Sequence, residues 1–168
     1  MDVTISLARL IGSDAAVPAG ARDIAIHGLT SDSRSVKPGY LFAALPGSVV
    51  DGSKFISQAV ASGAVAVLAA SGTVCDGAPL IGVSNPRQVF ARMAARFFDA
   101  QPELIVAVTG TNGKTSVASF VREIWTGMGF RAASLGTVGV VGPSGTIELQ
   151  HTTPDPVAIH ETLAKLAR

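Results

Sequence analysis

The stretch Gly110-Thr111-Asn112-Gly113-Lys114-Thr115-Ser116 constrains this chain more than any other. An apolar run, Leu104-Ile105-Val106-Ala107-Val108, leads into it, and Val117-Ala118-Ser119-Phe120-Val121 leads out with helical rather than alternating character. That order of strand, glycine loop and helix is the context of a phosphate-binding loop. Glycine lets the backbone turn tightly and aim several N–H groups at one anion, and the helix N-terminus adds a partial positive charge. Lys114 then reaches the terminal phosphates of a nucleotide and the Thr115 hydroxyl ligates magnesium (Mg2+). The general pattern G-x-x-x-x-G-K-[ST] asks for glycine where this chain has Val108, so the loop is a shorter G-x-x-G-K-T form. The competing reading is a glycine-rich turn with a solvated Lys114; the flanking strand and helix patterns favour the phosphate loop.

Composition narrows the classes. The 168 residues are enough for one full domain or two small ones, and an apolar content of 48% excludes disorder. Thirteen basic against twelve acidic residues leave a net charge of +1, and one Trp and one Tyr make no stacking platform, so nucleic acid is not an expected partner. Cys75 is the single cysteine, which excludes an internal disulfide and a cysteine-based metal site. The N-terminus carries an early acid and Arg9 and does not read as a signal peptide. The most apolar later stretch, Ala59 to Ala70, contains Ser62 and Gly63 and falls short of the roughly 20 residues that span a bilayer. A cytoplasmic protein with no membrane insertion is expected.

Residues 1 to about 20 read as a short helix and a turn closed by Val17-Pro18-Ala19-Gly20. Ile24 to Leu29 reads as one strand, Thr30 to Arg34 as a polar loop, and Tyr40 to Leu45 as a second strand between Pro38-Gly39 and Pro46-Gly47. His27 has no second ligand at metal spacing and reads as structural. Ser53 is the expected cap of a helix through Ala61, ended by Gly63 and followed by strands 64–68 and 80–83. Asn85-Pro86 opens a helix whose Val89, Phe90, Met93, Ala94, Phe97 and Phe98 form an apolar stripe, with Arg87, Arg92 and Arg96 as a solvated face. The alternation predicts an α/β fold with a mainly parallel or mixed sheet.

Residues 99–103 break the pattern and mark the expected domain boundary, with one domain over 1–102 and a second beginning at 103. The second domain should hold the strand at 104–108, the loop, a helix from Thr115 to about Gly127, and a strand near 132–135. A hairpin of 138–141 with 146–149 and a helix opened by Asp155-Pro156 should follow. No strand-end acid suited to magnesium follows the loop, so the second domain reads as incomplete and the chain as the front part of a longer enzyme.

Taken together, the motifs resemble the Mur ligase family of ATP-dependent amino-acid-adding enzymes in peptidoglycan precursor synthesis. Thr109 to Thr115 is similar to the family's form of the phosphate loop, which accounts for the absent glycine at 108. Asp32-Ser33-Arg34, Val36-Lys37-Pro38-Gly39, Leu41 to Gly47 and Asp51-Gly52 resemble the N-terminal domain that holds the UDP end of the precursor. Gly136-Thr137 with His151-Thr152-Thr153-Pro154-Asp155-Pro156 is similar to the members that extend UDP-N-acetylmuramoyl-L-alanyl-D-glutamate by a third residue, diaminopimelate or lysine. The resemblance implies a small N-terminal α/β UDP-binding domain followed by the first part of a P-loop central ATPase domain.

Carried over by position, the resemblance implies nucleotide contacts at Gly110, Thr111, Asn112, Gly113, Lys114, Thr115 and Ser116, with Lys114 catalytic and Thr115 on magnesium. It implies UDP contacts at Ser31 and Ser33, and muramoyl contacts at Thr152 and Thr153. Residues 48–50 correspond to a further nucleotide contact. The implied reaction phosphorylates the precursor's carboxylate, and the amine of the amino-acid co-substrate attacks the acyl phosphate. The co-substrate site would lie beyond Arg168, so the chain alone should not ligate. From another class, the chain could be a stand-alone nucleotide or UDP-sugar binding module without turnover. The sequence downstream of Arg168 discriminates between the two.

Overall fold

Four short apolar runs assemble into one parallel sheet. The computed structural model describes residues 3–47, 51–147 and 155–168, and the chain divides into two units, Met1–Asp99 and Ala100–Arg168. In the first unit β1 (Ile5–Ser6) runs into α1 (Leu7–Ile11), and β1 pairs antiparallel with β2 (Ala25–Ile26). Ser6 caps α1, its hydroxyl accepting from the Arg9 N–H.

The parallel sheet has the order β3-β4-β5-β6, with β3 at Gly28–Thr30, β4 at Tyr40–Ala43, β5 at Ala64–Ala70 and β6 at Leu80–Val83. The α/β expectation with a parallel sheet therefore holds. The single strand expected over 24–29 is two strands in two sheets. At the break, the His27 N–H donates to Gly39 O at 2.9 Å, and its Nδ1 lies 3.1 Å from the Thr4 hydroxyl. Alternation alone could not show this break, since both halves keep the same apolar pattern.

Asp51, and not Ser53, begins the next helical segment: its Oδ1 accepts from the Ser53 N–H at 2.9 Å. That segment is a 3-10 turn, Gly52–Phe55, continuing into α2 (Ile56–Ala61). Gly63 ends it in the left-handed region, with φ 99°. Phe42, Val67 and Ala69 pack against Ile56 and Ala59 on this side of the sheet. Leu41, Ala43, Ala66 and Leu68, which alternate with them, are equally buried. Central β5 is thus apolar on both faces, as a covered parallel strand should be.

Asn85 caps α3 (Pro86–Phe98) as expected, its Oδ1 accepting from the Gln88 N–H at 3.2 Å, with Pro86 in the first turn. Val89, Phe90, Met93, Ala94 and Phe97 are buried, and α3 packs on β5, β6 and α1. Its arginines are not merely a solvated face. Arg96 Nη1 donates to Leu10 O and Ile11 O, each at 3.0 Å, Arg92 and Arg96 both pair with Asp14, and Arg87 donates to Pro46 O. These bonds span from 41 to 86 positions, beyond the reach of any local pattern.

The second unit holds α4 (Lys114–Gly127), β7 (Ser134–Gly136), β8 (Gly139–Gly142), β9 (Gly145–Ile147) and α5 (Pro156–Ala167). β7, β8 and β9 form an antiparallel meander, so the expected hairpin gains a third strand. Asp155 caps α5, accepting from the Ala158 N–H at 2.8 Å. The strand expected at 104–108 is not formed. Leu104, Ile105 and Val106 are 65%, 53% and 54% exposed, and no described strand pairs with them. A strand needs a ladder partner, and a sequence run does not supply one.

Candidate functional site

The glycine loop from Gly110 turns where the chain enters α4. Gly110 has φ 147°, and Gly113, at the N-cap position, is left-handed with φ 76° and ψ −4°. A Cβ at Gly113 would meet nothing within 4 Å, so conformation rather than space selects glycine there. Val117 is the first residue to bond back into the helix, its N–H donating to Gly113 O at 2.9 Å. The N–H groups of Lys114, Thr115 and Ser116 have no intrahelical partner by geometry, and no side chain caps them. By contrast α1, α3 and α5 are each capped by Ser6, Asn85 or Asp155.

Lys114 turns back over its own loop, with Nζ donating to Gly110 O at 2.5 Å and to Thr111 O at 3.3 Å. The ammonium and the uncapped N–H groups make a donor-only surface, which suits phosphate oxygens. Gly110 to Ser116 are all exposed. Thr115 Oγ1 lies 3.3 Å from Thr137 Oγ1, just beyond β7. One hydroxyl is a partial donor set for magnesium, which normally completes its shell with phosphate oxygens and water. Among the described residues, no group of three His, Cys, Asp or Glu could hold a metal. Residues 110–116 lie together on one exposed turn at the start of α4, and Thr137 lies beside them. The sequence marks Gly136-Thr137 as part of the family resemblance, without indicating that it meets Thr115.

In the first unit, Ser31 is exposed at a bend, and Ser33 is buried at 8% exposure with its hydroxyl donating to Gln58 Oε1 at 3.3 Å. Asp32 caps the 3-10 turn Ser33–Ser35 and pairs with Arg34 at 2.8 Å. The guanidinium and the Arg34 N–H hold the Asp32 carboxyl below its ordinary range. The loop after β4 closes on itself, with the Gly52 N–H donating to Leu45 O at 3.0 Å. A Cβ on Gly52 would come within 2.7 Å of the Leu45 backbone, so this neck requires glycine. Residues 48–50, Thr152, Thr153 and His151 lie outside the described residues. Gln58 and Asp14 were not singled out by the sequence, and Arg87 was read as part of a solvated face, because each meets its partner from a distant stretch. A cavity of about 390 Å³ lies at the ends of β5 and β6, lined by Ser71, Ser84, Asn85 and Arg92 among others. Among the described residues no helix is long and apolar enough to cross a membrane.

Comparison with known proteins supplies the lineage. A UDP-N-acetylmuramoyl-L-alanyl-D-glutamate--2,6-diaminopimelate ligase of Bradyrhizobium diazoefficiens is 49% identical over 164 residues, covering 98% of this chain and 34% of the relative. A ligase of the same name from Rhizobium meliloti is 53% identical over 148 residues, covering 88% and 30%. The chain therefore spans about a third of the length of the curated relatives it matches. A solved structure of a ligase of that name superposes with a TM-score of 0.81 at 27% identity, over 98% of this chain and 34% of the other. The UDP-N-acetylmuramoylalanyl-D-glutamyl-2,6-diaminopimelate--D-alanyl-D-alanyl ligase of Acinetobacter baumannii shares the fold, with a TM-score of 0.57 at 18% identity. It covers 98% of this chain, which spans 34% of it. The profile "Mur ligase family, catalytic domain" matches residues 25–98 and "Mur ligase middle domain" matches 108–168, and on these matches the chain belongs to the Mur ligase family.

Proposed function

We propose that this chain carries the precursor-binding and ATP-binding parts of a ligase that joins diaminopimelate to UDP-N-acetylmuramoyl-L-alanyl-D-glutamate in cytoplasmic peptidoglycan precursor synthesis. Relatives at about 50% identity that carry that ligase name support the choice of reaction. The observation that carries the nucleotide part is the uncapped start of α4 behind a left-handed Gly113, with Lys114 beside it.

ATP, when bound with magnesium, supplies the phosphoryl group that activates the precursor carboxylate toward the incoming amine. The chain's own residues bind and orient it. N–H groups of Lys114, Thr115 and Ser116 donate to phosphate oxygens at the positive end of a helix. Lys114 Nζ leaves the carbonyls of Gly110 and Thr111 and neutralises charge on the terminal phosphates. Thr115 offers one hydroxyl oxygen to the metal. Asn112 and Thr111 complete the loop whose backbone wraps the phosphates. In the first domain, assigned to residues 1–102, Ser31 and Ser33 contact the UDP end. Thr152 and Thr153, in the domain from 103 onward, contact the muramoyl part.

Calorimetric titration with ATP and magnesium tests this. Lys114 is exposed and makes no core contact, so Lys114→Ala should keep the parent melting temperature and lose at least tenfold in ATP affinity. Equal affinity in the variant and the parent would refute the assignment.

A further inference from the structure

We infer that Thr137 is a positioning residue for the Thr115 hydroxyl, accepting a hydrogen bond from it so that the oxygen lone pairs face the metal. The inference rests on the nucleotide reading above and extends it to a residue outside the loop. Thr115 is the second residue of α4, and Thr137 is the first residue after β7. Their Oγ1 atoms are 3.3 Å apart, and either hydroxyl can donate.

Two features fix this meeting independently of the hydroxyls. Gly136 pairs with Gly139, so Thr137 and Val138 form a two-residue hairpin loop, the tightest connection two antiparallel strands allow. Farther along, α4 packs on β7, and Arg122 Nη1 donates to Ser134 Oγ at 3.3 Å. Helix and hairpin are thereby held together near Thr137.

The chemistry gives the contact a direction. A hydroxyl that gives a lone pair to a cation keeps its proton and needs an acceptor for it. Thr115 is the second residue of α4, so the positions a turn earlier lie in the loop and offer no helical carbonyl in line with its hydroxyl. Thr137 Oγ1 is the acceptor within reach, and a hydrogen bond to it leaves the Thr115 oxygen free to give a lone pair to the metal. Such outer partners of metal ligands typically change metal affinity by 10- to 100-fold when removed. A neutral alcohol belongs at the lower end.

The test compares the parent chain with Thr137→Val, which keeps the shape without the hydroxyl, and Thr137→Ser, which restores it. ATP binding is measured across a magnesium titration and again in EDTA. Thr137→Val should raise the magnesium concentration for half-maximal ATP binding about tenfold and leave EDTA affinity within about twofold. Thr137→Ser should match the parent within about twofold. An unchanged magnesium midpoint in Thr137→Val, an equal loss in both conditions, or a serine variant as weak as the valine one would overturn the inference while leaving the nucleotide reading standing. A parent chain that binds no ATP in either condition would overturn both.

Discussion

Asp14 accepts from Arg92 Nη1 at 2.6 Å and from Arg96 Nη2 at 2.5 Å, and its side chain is 6% exposed. Burial alone pushes this carboxyl up, but the two guanidinium hydrogen bonds outweigh it and hold it below the ordinary value of 3.8. A carboxyl depressed in the folded state stabilises the fold above its unfolded pKa, and that contribution is lost as the pH falls through the folded one. Asp14→Asn should therefore cost about 2 kcal/mol at pH 7 in urea denaturation, with the gap to the parent closing below about pH 4. The sequence displays the arginines by their spacing along α3. It conceals Asp14, which lies in a lead-in without periodicity and is 78 positions from Arg92. Ser33 is the reverse case: its position was legible from the Asp32-Ser33-Arg34 motif, whereas its hydrogen bond to Gln58 required the fold.

At the scale of elements, α3 and α4 differ in how fully sequence specifies them. α3 carries its own start signal and buries its stripe, and both features read directly from Asn85-Pro86 and the spacing of Val89, Phe90, Met93 and Phe97. Asn85→Ala should destabilise the chain by about 1 kcal/mol, read as a shift in denaturant midpoint without a change in slope. α4 begins and ends close to expectation, yet none of its residues is buried. Its apolar residues Val117, Phe120 and Ile124, with Met128 at the C-cap, recur at helical spacing and are 46%, 63%, 61% and 66% exposed. Periodicity announces that a stripe exists and says nothing of what covers it. The unformed strand at 104–108 fails for a related reason, since its pairing partner is a property of the fold.

Across the whole molecule, the two units are unequally buried. Phe42, Phe90, Leu41, Leu68 and Met93 are enclosed in the first, whereas the buried apolar side chains of the second are Ala132, Val140 and Ala164 among the described residues. The α4 stripe should bind an apolar dye, and Phe120→Glu with Ile124→Glu should reduce that fluorescence at least twofold with stability unchanged within about 0.5 kcal/mol. The α/β alternation of the first unit and the glycine turn entering α4 were legible because each element is written in a few consecutive residues. The second sheet of the first unit and the Thr115–Thr137 contact were not, because they depend on which segments meet. The open start of α4 carries a thermodynamic consequence. On the proposed function, a phosphate docked on the N–H groups of Lys114, Thr115 and Ser116 would supply the cap that no side chain provides, and occupancy and helix order would become one linked equilibrium. At a hundred times its Kd, a ligand adds about 2.7 kcal/mol to the state it binds. Among the described residues of this unit few side chains are enclosed, so on the proposed function that increment is comparable to a large core contact, and binding should register as a rise in the melting temperature of this chain.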